Sequence, residues 1–108
     1  MAVVEGRGRI ALQPVVTTLT WTSGTRVTVK EQGGLVVVTA DDAGSWRLGW
    51  QCRVLVPVGI RRWCGLTHGS RVLLIADAHQ GRVVIHPPAA LDAMINRAHA
   101  EVFSGEAS

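Results

Sequence analysis

The strongest constraint on this 108-residue chain is that it contains one pattern twice. S-G-T-R-V at 23–27 returns as H-G-S-R-V at 68–72, an offset of 45, and R-I-A-L-Q at 9–13 returns as R-V-L-V-P at 53–57, an offset of 44. One residue is therefore inserted between the two matches, and Trp21 falls on Leu66 and Leu19 on Cys64. Each copy closes on a glycine and an apolar run, G-L-V-V-V at 34–38 and G-R-V-V-I at 81–85. Two unrelated β-hairpins would share turn residues by coincidence. The common order of strand, short turn, glycine motif and hairpin favours duplication. Neither copy has enough apolar strand to bury a core alone, so the two are expected to share one.

The segments between turns are patterned for strands. Residues 7–13 read as a first strand ending at Pro14. Residues 14–21, P-V-V-T-T-L-T-W, leave two readings open: Pro14 can start a helical turn, but Val15, Val16, Thr17 and Thr18 are β-branched and poor helix formers. Residues 25–31 alternate Val27 and Val29 with polar residues, the pattern of a half-buried strand. Residues 32–34, Q-G-G, form a hairpin loop before a returning strand over 35–39. After a polar linker over 41–45, residues 46–53 lead into a second strand-and-turn unit. Its strand ends at Pro57, and residues 58–64 form one helical turn with Ile60, Trp63 and Cys64 on one side. Residues 71–76 and 82–86 are strands. Pro87-Pro88 stops the sheet and opens a helix running to about 103, with Leu91, Met94, Ile95, Ala98 and Val102 in one apolar stripe. Residues 1–6 carry no pattern and are expected to be loose. The fold class is mainly β with short helical turns and a C-terminal helix. The chain divides into 1–45, 46–86 and 87–108, the first two sharing a core.

Charge separates these parts. The net charge is +3, yet residues 1–45 balance four bases against four acids, residues 46–86 carry six arginines and one aspartate, and residues 87–108 sum to −2. A regional excess of this kind is what a chain presenting one face to a polyanion would show, and equally what a solvated basic surface would show. The two cysteines have no disulfide-framework spacing. The N-terminus has no apolar signal core, and no apolar run approaches membrane-span length. A cytoplasmic protein with reduced thiols, and no membrane partner, is expected. Cys52, Cys64 and His68 lack a paired C-x-x-C, and His79, His86 and His99 are scattered, so no metal is expected. No nucleophile–base–orienter set and no phosphate-cradling loop is present, so neither an enzyme nor a cofactor is expected. Trp50 and Trp63 are expected in a core or an interface rather than as base-stacking groups.

The second unit resembles the AbrB/MazE/SpoVT family of DNA-binding domains. The residues that carry the resemblance are Arg53-Val54-Leu55-Val56-Pro57, Ile60-Arg61, Cys64-Gly65-Leu66, Gly69 and the hairpin containing Gly81. They span about a third of the chain, and several spacings agree together. The first unit fits more weakly, through Gly8-Arg9-Ile10 and Ser23-Gly24-Thr25-Arg26-Val27. It has Val15-Val16-Thr17-Thr18 where the family places a basic turn. In the second unit Cys52 stands where a glycine often precedes the arginine, and Ser70 where an acid often follows the loop glycine.

The resemblance implies a swapped-hairpin β-barrel, normally built by two chains. Two units in one chain look like the tandem arrangement of MraZ-type proteins, so either one chain closes the barrel or two chains intertwine as a homo-oligomer. It also implies a transcriptional regulator that binds double-stranded DNA and is nucleoid-associated. Guanidinium groups bind phosphate bidentately and read guanine edges, which makes Arg53, Arg61, Arg62 and Arg71 the candidate contacts, with Arg9 and Arg26 added by the first half. Arg82 is expected to be peripheral. The helix stripe, Leu91, Met94, Ile95 and Val102, either caps the barrel, joins protomers or receives a partner. An antitoxin that binds a toxin and its own operator is the first alternative, and a protein-interaction module without DNA the second.

Overall fold

The structure, a computed structural model, describes the backbone of residues 2–107 and the side chains of residues 2–102. In chain order the elements are β1 (Ala2–Val3), β2 (Arg9–Ala11), α1 (Gln13–Val16), β3 (Arg26–Gln32), β4 (Leu35–Ala40), β5 (Trp46–Arg47), β6 (Arg53–Leu55), α2 (Val58–Trp63), β7 (Arg71–Asp77), β8 (Arg82–His86) and α3 (Pro88–Ala107). Single 3-10 turns lie at Gly6–Gly8, Thr17–Leu19 and Trp50–Cys52.

Two hairpins supply most of the sheet. β3 and β4 pair from Val27↔Ala40 to Gln32↔Leu35 around Gly33-Gly34. Both glycines have positive φ, 59° and 82°, as a two-residue type I′ connection requires. β7 and β8 make the matching hairpin, from Leu73↔His86 to Asp77↔Arg82, with a longer loop. The hairpins join side by side through β4 and β8. Each outer edge then receives a short strand from the opposite half: β1 pairs with β7, and β5 pairs with β3. The result is a six-stranded antiparallel half-barrel, ordered β1-β7-β8-β4-β3-β5, and a separate two-stranded ribbon, β2–β6. β1 runs beside β2 and β5 beside β6, so the ribbon adjoins both edges of the sheet.

The register reveals a pseudo-twofold axis. In the ribbon Ile10 pairs with Val54, its own counterpart at an offset of 44. In the sheet Val37 pairs with Val84, its counterpart across the two hairpins. Loop hydrogen bonds obey the same operation. Leu12 N–H donates to Cys52 C=O at 3.2 Å while Val56 N–H donates to Gly8 C=O at 3.0 Å. Glu5 N–H donates to Arg9 C=O and Gly49 N–H to Arg53 C=O, both at 2.8 Å. Thr22 N–H donates to Thr25 Oγ1 and Thr67 N–H to Ser70 Oγ, both at 3.0 Å.

One cluster of buried side chains draws on both halves, largely in symmetry-related pairs: Val4 with Leu48, Ile10 with Val54, Leu12 with Val56, Val27 with Val72, and Val36 and Val38 with Val83 and Ile85. Each such side chain, taken out of water, contributes about 1.5–3 kcal/mol. Strand alternation explains the pattern: Ile10 and Val54 face in, so Arg9, Ala11, Arg53 and Leu55 line the outer face of the ribbon.

Several expectations change. Residues 2–6 are not loose, and Met1 lies outside the described residues. Ala2–Val3 completes an edge, and Val4 is buried, because this segment is the symmetry mate of 46–48. Residues 14–21 resolve into α1 and a 3-10 turn, ended by Thr20 in the left-handed region with φ 58°. On α2, Ile60 packs on the core and Cys64 just beyond is buried, but Trp63 stands 77% exposed and leaves that side. Trp21 packs on the core as its match to Leu66 predicts. α3 starts at Pro88, whose missing N–H costs nothing at that position, and the Pro87 carbonyl accepts Leu91 N–H. The helix does not cap the half-barrel: Leu91 is half-buried, whereas Met94, Ile95 and Val102 are 45–57% exposed. Among the described residues no helix is long and apolar enough to cross a membrane.

Candidate nucleic-acid interface

The outer face of the ribbon is the floor of a groove of about 630 Å³. Arg9, Arg47 and Arg53 line it, with Trp46, Trp50 and Glu5. Arg9 and Arg53 are symmetry mates, so the groove lies over the pseudo-twofold axis. Two turns bring their neighbours in. Residues 6–8 and 50–52 each reverse direction through left-handed backbone, at Arg7 and Gly8 (φ 64° and 80°) and at Gln51 and Cys52 (57° and 54°). The second turn lifts Trp50 out of the fold, leaving its ring 72% exposed.

Arg53 is held from three sides. Its Nε donates to Glu5 Oε2 at 2.7 Å and Nη2 to Oε1 at 3.3 Å. Nη1 donates to the Trp50 carbonyl at 3.4 Å, and Cζ lies 5.0 Å from the centroid of the Trp50 ring. The fork from Arg53 holds the Glu5 carboxyl below the usual carboxylate range, against the opposing effect of its partial burial. With Glu5 committed to Arg53, Arg9 and Arg47 are left without an ion pair among the described residues.

The other arginines fall in different surroundings. Arg61 folds back over Gly8 and donates from Nε to the Val56 carbonyl at 3.0 Å, so it borders the start of β2 as a fixed, half-buried group. Arg62, one residue on, is exposed beside Trp63. Arg26 lies opposite Arg47 where β3 meets β5, and its Nη1 donates to the Asp42 carbonyl at 3.2 Å. Arg71, the symmetry mate of Arg26, sits on the other sheet edge opposite Val3. The structure thus brings Arg9 and Arg53 together, sets Arg26 beside Arg47, and leaves Arg71 apart. Arg82 is engaged across its hairpin, with Nε 3.4 Å from Asp77 Oδ2, though misaligned for a hydrogen bond.

The symmetry mate of the Arg61 site is different in kind. Position 17 is threonine, and Cys52 stands where Gly8 stands in the other half. Beside them lies a groove of about 380 Å³, lined by Thr17, Cys52 and the other side of Trp50. Trp50 is therefore a ridge between two grooves.

Sequence reasoning missed Arg47, Trp46 and the exposure of Trp50. The offset of 44 could have found them, because it maps residues 46–50 onto 2–6 and places both as leading segments that enter the ribbon. Among the described residues no group of three His, Cys, Asp or Glu side chains could hold a metal ion. No family model matches the chain, and comparisons with curated proteins and with solved structures gave no match.

Proposed function

We propose that the chain is a DNA-binding transcriptional regulator of the AbrB-like class, in which one chain supplies both units of a swapped-hairpin barrel. The observation that carries this reading is the pseudo-twofold ribbon. It displays Arg9 and Arg53 symmetrically, with Arg47 unpaired beside them and Arg61 fixed at one end. A two-stranded ribbon fits the major groove of B-form DNA, and arginines on its outer face can neutralise phosphates or read base edges. Arg62, exposed on α2, extends the positive surface, and Arg26 and Arg71 flank it on the two sheet edges.

The test is a gel shift with duplex DNA from the chain's own promoter region across a salt series, with solution mass measured alongside. Arg62→Ala and Arg9→Ala together are expected to lower affinity and reduce the salt slope by roughly two, because each lost phosphate contact removes about 0.9 from that slope. Unchanged affinity at low salt would sink the assignment.

A second reading draws on α3. Its stripe of Met94, Ile95 and Val102 is open, as a helix that docks on a further protein would be. A toxin neutralised by an antitoxin is one such partner, and another copy of the chain, giving a dimer or higher oligomer, is another. Co-purification of one small protein with the chain, lost on Ile95→Asp, would favour that reading over the first.

A further inference from the structure

We infer that the smaller groove, on the far side of Trp50 from the ribbon arginines, binds an uncharged planar heterocycle of nucleobase or nucleoside size, stacked on the ring face that Arg53 leaves open. The site does not depend on the nucleic-acid reading and shares with the ribbon groove only the Trp50 ridge.

This groove of about 380 Å³ exists because the two ends of the ribbon are unequal. The repeat places Thr17 where the other end has Arg61, Gln51 where it has Arg7, and Ser23 where it has His68. Arg61 lies over Gly8 and fills its corner, whereas the short Thr17 leaves this one open. The same comparison sets Trp50 against Gly6 and Trp21 against Leu66. In place of two arginines and a histidine, this corner therefore has three uncharged hydrogen-bonding side chains, and it adds two indoles. All five line the groove.

Charge selects the class of ligand. The lining holds no charged side chain, so a phosphate or carboxylate entering it would give up water for no counter-charge. Neutral polar groups fare better. The side chains of Gln13, Thr17, Ser23 and Gln51 are exposed and make no hydrogen bond among the described residues. A primary amide offers a donor and an acceptor in one plane, the pairing that reads the edge of a base. Shape selects the rest. Arg53 Cζ lies 5.0 Å from the Trp50 centroid on the ribbon side, and Glu5 holds Arg53 there, so the ring is supported from behind before any ligand arrives. Its other face is a flat apolar surface on which a planar π-system can stack. Trp21, packed on the core, supplies a second apolar wall. One stacked face with a few in-plane hydrogen bonds is how proteins hold an unpaired base.

The experiment uses the full chain, isotopically labelled for nuclear magnetic resonance, and three probes: adenosine, adenosine monophosphate and glucose. Adenosine is expected to shift the indole N–H signals of Trp50 and Trp21 saturably and to leave that of Trp63 in place. The monophosphate should bind no more tightly than adenosine, and glucose should shift neither signal. Ligand-detected saturation transfer, which does not depend on the tryptophan signals, then compares variants. Trp50→Ala should weaken adenosine binding at least about fivefold, Gln13→Ala about threefold, and Trp63→Ala not at all. Circular dichroism confirms that each variant is folded, and Gln13→Ala, at an exposed position on α1, keeps the test decisive if Trp50→Ala does not fold. Tighter binding of the monophosphate than of adenosine, glucose shifts as large as those with adenosine, no shift with any probe, or wild-type affinity in both Trp50→Ala and Gln13→Ala would each overturn the inference. Duplex binding by the ribbon is read in a separate gel shift without these probes, so either reading can fail while the other stands.

Discussion

Replacing Gly8 with alanine tests the link between backbone and charge at the end of the ribbon. Gly8 has φ 80°, and a Cβ built on it would fall on Arg61 Cδ and Nε and lie 2.8 Å from Cζ. Two costs follow. Left-handed backbone at alanine costs about 1 kcal/mol once the smaller entropy of the unfolded alanine chain is set against it. The Arg61 side chain must also swing away, losing its hydrogen bond to the Val56 carbonyl, worth about 1 kcal/mol, and part of its packing. The expected total is about 2–3 kcal/mol, or a melting temperature lower by roughly 10 °C for a domain of this size. Urea denaturation followed by tryptophan fluorescence measures it. The decisive control is a double-mutant cycle. In an Arg61→Ala background the three atoms nearest the new Cβ are gone, so Gly8→Ala should cost only about 1 kcal/mol, leaving a coupling of about 1 kcal/mol or more. A cost below about 0.5 kcal/mol in the native background, or the same cost in both, would refute the reasoning. The chain carries its own precedent: Cys52 has a Cβ at the symmetry-related position, and there the arginine is replaced by Thr17.

Two further outcomes follow from ionisable groups. Because its pairing with Arg53 lowers the folded-state pKa of Glu5, the pair stabilises the fold fully above the ordinary value of 4.5 and loses that contribution as pH falls through the lower folded value. Glu5→Gln should therefore differ from the wild type in stability at pH 7 and approach it toward pH 3, whereas a difference constant with pH would contradict the assignment. Burial pushes the thiols of Cys52 and Cys64 above their ordinary pKa, so a thiol reagent at pH 8 should label them slowly in the native protein and rapidly in urea. Immediate labelling of the folded chain would show that one of them is not where the fold puts it.

The hairpins were legible because their signals are local. Gly33-Gly34 forces a turn type, and Val27, Val36 and Val38 alternate as a half-buried strand should. The repeat was legible too, since the offset of 44 and the match of 34–38 to 81–85 recovered the relation that the register at Ile10↔Val54 and Val37↔Val84 displays. What escaped were the consequences of exchange between halves. Ala2–Val3 has no pattern of its own. It becomes a strand because β7 offers an unpaired edge, and that edge belongs to residues almost seventy positions away. The same applies to Trp46–Arg47 on β3. The arginines were identified as a class, but their states were not readable. Whether Arg53 is clamped by Glu5 depends on residue 5 arriving beside residue 53, and whether Arg61 is held against the Val56 carbonyl depends on the absence of a side chain at Gly8. Of the two places expected for Trp63 and Trp50, their exposure rules out the core of this chain, because hydrophobicity predicts burial on average and says nothing of a side chain that a turn projects outward.

Joining the two units in one chain has a consequence for variation. In a symmetric pair of identical chains every substitution appears twice, so a change that suits one end of the ribbon is imposed on the other. Here the ends are separate positions in one sequence. Gly8 with Arg61 and Cys52 with Thr17 are alternative solutions to the same corner, and each is free to vary alone. The body keeps the geometry of a dimer and loses its palindrome: any long partner lying across the ribbon meets a fixed guanidinium at one end and an open groove at the other, so it has a head and a tail with respect to the protein.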